Sequence, residues 1–453
     1  MRDEWLRHGV GLPLWAFLLG APTAQARDYF FHPEGRDQAS GLTALEPLRS
    51  FRTLEGRELN PGDRIVLASG TEFNETLELT PNNVRASDSP ESPPIFIVSS
   101  DLEPARIKAP ENGSGIRLLN VSAVTIEGLR ISSGGGFGNG IELISSDKDL
   151  PVAHITVRQT QVSGFRARTA HHFEGIGVLG LATRDGERIA NIELENVTSF
   201  DNDLAGALFE SQSGRRHQNI TIRRSWFFKN RGLQSVDKHS GNGIIIGQTD
   251  GALVETTEAF ENGEHNTTSG GPVGIWAWDS DRVVFRNNIS HDNRTAGGAD
   301  GGGFDFDGGV TNSLMENNLS YNNDGAGFLL CTFPGSSPVR KVVLRNNVSI
   351  NDGRKNGYAG IMLFGQIEEA QIGGNTVLVT ASGSRGLHLL NFTGAGVTLT
   401  RNQFLIVPGI EFMVGKFPKN LAFKGNSVDV EDVRDVVHSI QEARVKWEAG
   451  IQR

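Results

Sequence analysis

A segment that recurs along the chain is the feature that most constrains the fold. Clear copies begin at Ile192, Ile220, Val283, Ser313 and Val342, and the last three read "VVFRNNISHDN", "SLMENNLSYNN" and "VVLRNNVSIND". A second segment that opens with glycine follows most copies, as in "GALFES", "GIIIGQ" and "GFDFDG", and these glycines lie 23 to 37 residues apart. Both segments are short, apolar or β-branched, and alternate with period two, which is typical of strands.

One repeat unit with two or three short strands and turns of variable length predicts one coil of a parallel β-helix. Asparagines recur at two positions of the repeat and support this prediction, because stacked turns can satisfy buried backbone groups with side-chain amides. We therefore expect two internal ladders of side-chain amides. The first contains Asn288, Asn318, Asn347, Asn375, Asn402 and Asn426, and the second contains Asn202, Asn230, Asn262, Asn293 and Asn323.

The second strand of each repeat can be aligned on its opening glycine, and the alignment predicts which side chains point outward. The first and third residues after the glycine are apolar in every coil, so they are expected to face the interior. The predicted interior rows begin with Ile176, Ala207, Ile244, Ile275, Phe304, Phe328, Ile361, Leu387 and Ile410. The second and fourth residues must then point outward, and in successive coils they include Glu210, Trp276 with Trp278, and Asp305 with Asp307.

With this repeat established, the chain resembles the right-handed parallel β-helix superfamily, the pectate-lyase-like group, over roughly residues 28–430. Its opening "LNPGDRIVLASGTEF", with Pro61–Asp63 and Phe73, is similar to the first coil of many secreted β-helix proteins. The resemblance implies an all-β, single-stranded right-handed solenoid in residues 27–430, with an N-terminal cap and first coils in 27–110. It also implies a carbohydrate-active role, since family members include hydrolases, calcium-dependent lyases and epimerases.

The two ends of the sequence carry separate signals. Residues 1–26 read as a cleavable signal peptide, with Arg2 and Arg7 before an apolar stretch and "AQA" before the expected cleavage site. We therefore expect a secreted or periplasmic bacterial protein without a transmembrane segment, because no apolar stretch has the length of a membrane span. Residues 431–453 place Val433, Val437 and Ile440 on one helical stripe, which predicts a short C-terminal capping helix; a partner-binding helix is the alternative.

Net charge and cysteine count exclude some alternatives. The formal net charge is −10, which argues against a nucleic-acid partner and against any polyanionic partner, unless local Lys or Arg residues or a bound cation compensate the charge. The single cysteine, Cys331, excludes an intrachain disulfide. The sequence gives no prediction of the oligomeric state.

The outward pairs of two neighbouring coils form the candidate site. Parallel coils stack about 4.8 Å apart, so Trp276 and Trp278 are expected directly beside Asp305 and Asp307. Indole faces stack on sugar rings and carboxylates make polar contacts, so these four residues together resemble a sugar-binding cleft. The alternative is that a long loop or the N-terminal segment packs over this strand row and buries the tryptophans.

Polar residues in the loops that enter these strands extend the candidate site. They would gather along one edge of the solenoid, and the set contains His171, His172, Glu174, Asp237, Lys238, His239, Glu264, His265, Arg294 and Asp300. Each alone is typical of a solvated loop, but their recurrence at the same edge of four coils favours a site. Of these, we expect His265 and Arg294, together with Glu210, Trp276 and Trp278, to bind substrate.

Three reactions or roles remain open from the residues. In a glycoside hydrolase, Asp305 and Asp307 would act as the acid and base pair, with Asp300, Asp279 or Glu210 as substitutes. In a polysaccharide lyase or uronan epimerase, Lys238 or His239 would abstract a proton while Ca²⁺ held by Asp300, Asp305 and Asp307 neutralised the uronate. In a non-catalytic glycan-binding solenoid, the tryptophans would bind sugar and the aspartates would be structural. The hydrolase ranks slightly first because aspartates outnumber suitably placed lysines.

Overall fold

The computed structural model describes residues 26–85, 92–169, 171–234, 238–268 and 270–430. Over these residues the chain winds through three long parallel sheets, here called sheets I, II and III in the order in which each coil meets them. This confirms the predicted all-β parallel β-helix. The signal-peptide prediction, apart from its last residue, and the predicted capping helix in 431–453 lie outside the described residues.

The strands are short and follow the repeat. Sheet I contains Asp28–Phe31, Arg64–Leu67, Ile95–Ser99, Val124–Glu127, Val152–Arg158, Ile189–Glu195, His217–Arg223, Thr249–Glu255, Asp281–Arg286, Leu314–Glu316, Val343–Arg345, Gln371–Gly373, Thr398–Thr400 and Ala422–Lys424. Sheet II contains Glu72–Phe73, Ala105–Lys108, Leu129–Ser132, Gln161–Ser163, Thr198–Phe200, Trp226–Phe228, Glu258–Phe260, Ile289–His291, Leu319–Tyr321, Val348–Ile350, Thr376–Val379, Gln403–Ile406 and Ser427–Val430. Sheet III contains Leu77–Leu79, Ile116–Leu119, Asn139–Ser145, Ile176–Ala182, Ala205–Ser211, Asn242–Gly247, Val273–Trp278, Gly302–Phe306, Phe328–Cys331, Ile361–Phe364, Leu387–Leu390 and Met413–Val414.

Three smaller elements complete the described fold. Val339–Arg340 and Ile367–Glu368 pair as a two-stranded sheet. A 3-10 helix, Phe51–Gly56, buries Phe51 against the rings of Phe31 and Phe73, at centroid distances of 5.4 and 4.9 Å. No helix among the described residues is long and apolar enough to cross a membrane.

Both predicted asparagine ladders are present. At the corner between sheets I and II, the backbone N–H and the Nδ2 group of Asn318 both donate to Oδ1 of Asn347 in the next coil, each at 3.0 Å. The residue before each ladder asparagine adopts a left-handed backbone, as at Asn317 and Asn346 with φ of 55°. Asparagine tolerates this conformation better than most residues, so the "NN" pairs combine a turn residue with a ladder residue.

The strand alignment predicted from the glycines holds for the central coils and is wrong at both ends. Phe304 pairs with Ile275 and Phe328, and both Phe304 and Phe306 are fully buried in the core, as expected. In the first aligned coil Val178, and not Ile176, pairs with Ala207, so that register is shifted by two residues. In the last coil Leu387 pairs with Met413 instead of Ile410, because a longer turn precedes that strand.

The repeated glycine of sheet III has a steric cause. A Cβ added at Gly303 would lie 2.3 Å from Ser320 Oγ, and one at Gly274 would lie 2.0 Å from Ser290 Oγ. Both hydroxyls belong to sheet II residues that face the interior, where no space is left for a larger side chain. The glycine column therefore allows sheet II and sheet III to meet at a tight corner, directly before the strand that carries the aspartates.

We expect alanine at Gly303 to destabilise the protein by about 1 to 3 kcal/mol, because the added methyl group overpacks this corner. Alanine at Gly56 is the matched control, since it is exposed and a Cβ there meets nothing within 4 Å; its effect should stay within about 0.5 kcal/mol. Urea unfolding followed by circular dichroism measures the free energy of unfolding of both variants. Equal stability of the two variants would contradict the steric explanation.

The second ladder ends on a carboxyl group. Asp352 Oδ1 accepts from the backbone N–H and from Nδ2 of Asn323, at 3.0 and 2.8 Å, and its Oδ2 accepts from the hydroxyl of Ser349 at 2.7 Å. Asp352 is fully buried, and desolvation raises its pKa to about 6. The folded protein therefore holds this proton more tightly than the unfolded chain does.

The raised pKa predicts that the D352N variant is more stable than the wild type at pH 7, by on the order of 1 to 3 kcal/mol. The neutral amide continues the ladder and needs no proton. As the pH falls from about 6 to about 4, the wild-type carboxyl becomes protonated and the advantage should shrink. Thermal unfolding across this pH range measures the difference in stability between D352N and the wild type. D185N, which changes an exposed loop aspartate, is the control. A D352N protein that is less stable at pH 7 would contradict the prediction.

Candidate active site

The outer face of sheet III is apolar along most of its length, and the candidate site interrupts it. Before the site, Leu179, Leu208 and Ile245 are buried on this face, and Phe173 and Leu233 from the edge loops pack on them. After the site, Leu329 and Met362 form a second apolar cluster with Tyr358. The carboxyl groups between the two clusters are consequently surrounded by apolar side chains.

Asp305 and Asp307 lie in this interruption, as the sequence predicted. Asp305 pairs with Trp276 on one side and Leu329 on the other, is 4% exposed, and its Oδ1 atom has no hydrogen-bond partner. Asp307 is half-buried and its Oδ1 accepts from the backbone N–H of Gly308 at 2.8 Å. These two residues and Asp300 interact electrostatically, and we call the three the aspartate cluster.

Asp300 reaches the cluster from the preceding loop, also as predicted, and Tyr358 holds it there. The Tyr358 hydroxyl donates to Asp300 Oδ1 at 2.8 Å and accepts from the Asp300 backbone N–H at 3.1 Å, while the N–H of Gly271 donates to Oδ2 at 3.1 Å. Burial raises the pKa of Tyr358, so it stays a donor. Sequence reasoning missed Tyr358, because it lies 58 residues further along the chain, in a loop that strand periodicity does not place beside Asp300.

Burial raises the pKa of every member of the aspartate cluster, and repulsion from other members adds to the shifts of Asp305 and Asp307. Desolvation raises the pKa of Asp305 well above the ordinary range, and the charges of Asp307 and Asp300 add to it. Desolvation also raises the pKa of Asp307 to about 7, although the Gly308 N–H opposes the shift. Near neutral pH one carboxyl group is therefore protonated while the other is poised to ionise, which is the condition for an acid and base pair.

Trp276 is buried and does not line an open cleft, which corrects the expectation that both tryptophans face substrate. Its ring is 6% exposed, its Nε1 donates to Asn242 Oδ1 at 2.9 Å, and the His239 imidazole packs edge-on against it at 5.0 Å. The loop that carries His239 covers this tryptophan, as the alternative interpretation anticipated. Trp278 is half-buried, and its Nε1 atom has no partner.

Lys238 and His239 are near the site but poorly suited as bases. Lys238 Nζ lies 4.0 Å from Glu210 Oε1 and 5.4 Å from the centroid of the Phe173 ring. Desolvation, followed by the charge of Lys238, lowers the pKa of His239 to about 3. A base works best with a pKa near the working pH, so this imidazole accepts protons weakly.

His265 and Arg294 are placed elsewhere, in a cleft of about 600 Å³ beside the end of sheet II. His265 is exposed, and Arg294 is engaged by Asp292 at 2.7 Å and by Asp324 at 3.8 Å. The structure therefore does not bring these two predicted substrate-binding residues to the aspartate cluster. Of the other loop candidates, His171 and His172 are exposed, Glu174 pairs with Arg168, and Asp237 lies outside the described residues.

The predicted calcium site is not formed in the described part of the chain. No group of three or more His, Cys, Asp or Glu side chains among these residues is arranged to hold a metal ion. The three members of the aspartate cluster instead direct their oxygens to Tyr358, to the Cys331 thiol, to the backbone of Gly271 and Gly308, or to no partner. The donor set thus does not fit Ca²⁺ in this arrangement.

Comparison with known proteins places the fold. The family model described as the right handed beta helix region matches residues 171–404, more than half of the chain, so the chain belongs to this family and the predicted superfamily is confirmed. Comparison with curated protein sequences finds no match.

Solved structures share the architecture at low sequence identity. A GH136 lacto-N-biosidase from Eubacterium ramulus superposes with a TM-score of 0.61 at 17% identity, covering 89% of this chain and 68% of that one. A mannuronic acid specific polysaccharide family 6 lyase from human gut microbiota gives a TM-score of 0.53 at 12% identity, covering 93% and 94%. At such identities the likeness is one of fold, and the two neighbours carry out different reactions on this fold.

The electrostatic coupling predicts a change in any pH profile that depends on Asp307. The charge of Asp300 contributes to the raised pKa of Asp307, so D300N should lower that pKa and move the acid limb of kcat/KM to lower pH. The Asn side chain can still accept from Tyr358, so activity should persist. Profiles of kcat/KM against pH for the wild type, D300N and the control D185N measure the effect, and an unmoved or raised acid limb would contradict it.

Proposed function

We propose that the chain is an exported carbohydrate-active protein, a glycoside hydrolase that cleaves an extracellular or envelope polysaccharide. The observation that carries the proposal is the pair Asp305 and Asp307, two adjacent carboxyl groups on the outer face of a sheet with pKa values raised by burial and by neighbouring members of the aspartate cluster. Apolar residues at these positions would make the fold more stable, since desolvated charges cost stability. Such groups are typical of functional sites.

The proposed reaction uses the two carboxyl groups in different protonation states. Asp305, which holds its proton more tightly, donates it to the glycosidic oxygen as the C–O bond breaks. Asp307, ionised above pH 7, takes a proton from a water molecule as that water attacks the anomeric carbon. One water is consumed, and the two carboxyl groups exchange protonation states, to be restored from solvent.

The lyase or epimerase alternative has weaker support. It requires a strong base beside the substrate, and Lys238 is engaged by Glu210 while His239 has a pKa of about 3. The cluster of acids would also repel the carboxylate of a uronide. A glycan-binding solenoid without catalysis is supported less well because Trp276 is buried under the loop of His239.

We expect D305N and D307N each to reduce hydrolysis by at least 10²-fold, because each removes one proton-transfer group. Their thermal midpoints should equal or exceed that of the wild type at pH 7, since each replaces a desolvated acid with a neutral amide. Reducing-end release from a polysaccharide panel and thermal unfolding are measured together, with D185N as the control.

Two outcomes would contradict the hydrolase proposal. One is full activity of D305N or D307N on a polysaccharide that the wild type cleaves. The other is product with the ultraviolet absorbance of an unsaturated uronide instead of new reducing ends alone, which would favour the lyase. Binding of a glycan without cleavage by the wild type would favour the non-catalytic alternative.

A further inference from the structure

The outer face of sheet I carries a groove of about 950 Å³. It crosses four successive strands of that sheet, Val124–Glu127, Val152–Arg158, Ile189–Glu195 and His217–Arg223. Asp305 and its neighbours belong to sheet III, so the groove lies on a different face of the solenoid from the aspartate cluster. Ligand pockets in proteins typically measure about 300 to 1,000 Å³, so this groove has room for a ligand.

A row of outward side chains at one position of the repeat forms the floor of the groove. Thr125 pairs with Thr156 in the next coil. Glu193 follows Thr156 and is followed by Thr221, so the row advances about 4.8 Å with each coil. The residues before and after each member are buried in the core, which directs the row outward.

Two hydroxyl groups of this row are accessible and unused. Thr156 and Thr221 are half-buried, and their hydroxyl groups make no hydrogen bond within the described part of the chain. A threonine hydroxyl both donates and accepts hydrogen bonds. The floor therefore presents two groups that can each bind a polar group of a ligand, two coils apart.

The charges on the floor balance one another. The Arg223 guanidinium forms an ion pair with Glu193 and lies 3.7 Å from Glu195. The groove thus offers no excess of positive charge to a polyanion, and the net charge of −10 opposes one. This balance favours a neutral ligand.

Amides and apolar side chains line the rest of the groove. Asn219 Nδ2 donates to Asn191 Oδ1 at 2.9 Å, and Asn191 Nδ2 lies 3.4 Å from His154 Nε2. These three exposed residues each precede a floor residue by two positions, so they form a second row beside the floor. The apolar lining residues are Pro81, Pro94, Leu150 and Pro151. A sugar residue carries both hydroxyl groups and an apolar C–H face, so this mixed lining suits a glycan.

An extended peptide fits the groove less well than a glycan. Strand addition requires free backbone N–H and C=O groups at the edge of a sheet. The four strands of the groove floor lie inside the 14-stranded sheet I, and each is paired with a neighbouring coil on both sides. The groove therefore offers a ligand side chains and not backbone groups.

We propose that this groove binds a segment of a neutral polysaccharide along the solenoid axis, at a site separate from the aspartate cluster. The hydroxyl groups of Thr156 and Thr221 bind sugar hydroxyls, and the apolar side chains pack on the C–H faces of the sugar rings. From Thr125 to Thr221 the row covers three coil steps, about 14 Å, so the groove holds more than one sugar residue. The site does not depend on the proposed hydrolase function, because it shares no residue with the aspartate cluster.

The test is binding of oligosaccharides, measured by calorimetry in the D305N background, with reducing-end assays to verify that the probes remain intact. Neutral probes are cello-, xylo-, manno- and chito-oligosaccharides, and the charged probes are oligogalacturonates. We expect at least one neutral series to bind. The T156V/T221V double change should weaken that binding about tenfold, because it removes two hydrogen-bonding hydroxyls and keeps the shape of the floor.

A bulky change and a matched control complete the comparison. T156W should abolish the binding, because the indole fills the groove. T198V is the control, since Thr198 is half-buried on the outer face of sheet II, and its binding should equal that of D305N alone. Circular dichroism and thermal unfolding verify that each variant is folded. Equal binding by the groove variants and the control, binding of the uronides alone, or binding of none of the probes would overturn the site.

Discussion

Parallel hydrogen bonding between successive coils is the constraint on which the rest of the structure depends. It places the same position of every repeat in one line, about 4.8 Å from its neighbours. The asparagine ladders then satisfy buried corner groups, the glycine column permits the tight corner, and interior side chains stack, as Phe304 does on Phe328 at 5.2 Å. The same alignment also brings outward residues of different coils together, although they are distant in sequence.

The aspartate cluster owes its properties to this alignment. Asp305 and Asp307 are separated by one residue, but their pKa values depend on Asp300 from a loop and on apolar residues of the flanking coils. Desolvation is the main cause for both, and repulsion within the cluster adds to it. A scaffold with closely packed coils can hold desolvated carboxyl groups, because its many interior contacts offset their cost in folding free energy.

The fold could be predicted from the sequence because the same strand pattern recurs in many coils. The ladders, the interior position of Phe304 and Phe306, and the outward direction of Asp305 all follow from a period of two within strands of known register. The alignment was wrong at Ile176 and Ile410, where irregular turns precede the strands and the glycine alone does not fix the register.

The candidate site could be predicted less completely, because strand periodicity does not determine the paths of the loops. The sequence did not reveal that the loop of His239 covers Trp276, that Tyr358 holds Asp300, or that His265 and Arg294 belong to a separate cleft. Each of these depends on the direction in which a loop folds back, and that direction is set by packing between residues far apart in the chain.

The most direct test of the central claim is the protonation of the two aspartates themselves. Infrared difference spectra of protein with ¹³C-labelled aspartate carboxyl groups, compared with spectra of D305N and D307N, report each titration. We expect Asp307 to titrate near pH 7 and Asp305 to remain protonated well above the ordinary carboxyl range. Titration of both groups near pH 4 would show that they are ordinary solvated carboxylates and would contradict the acid and base assignment.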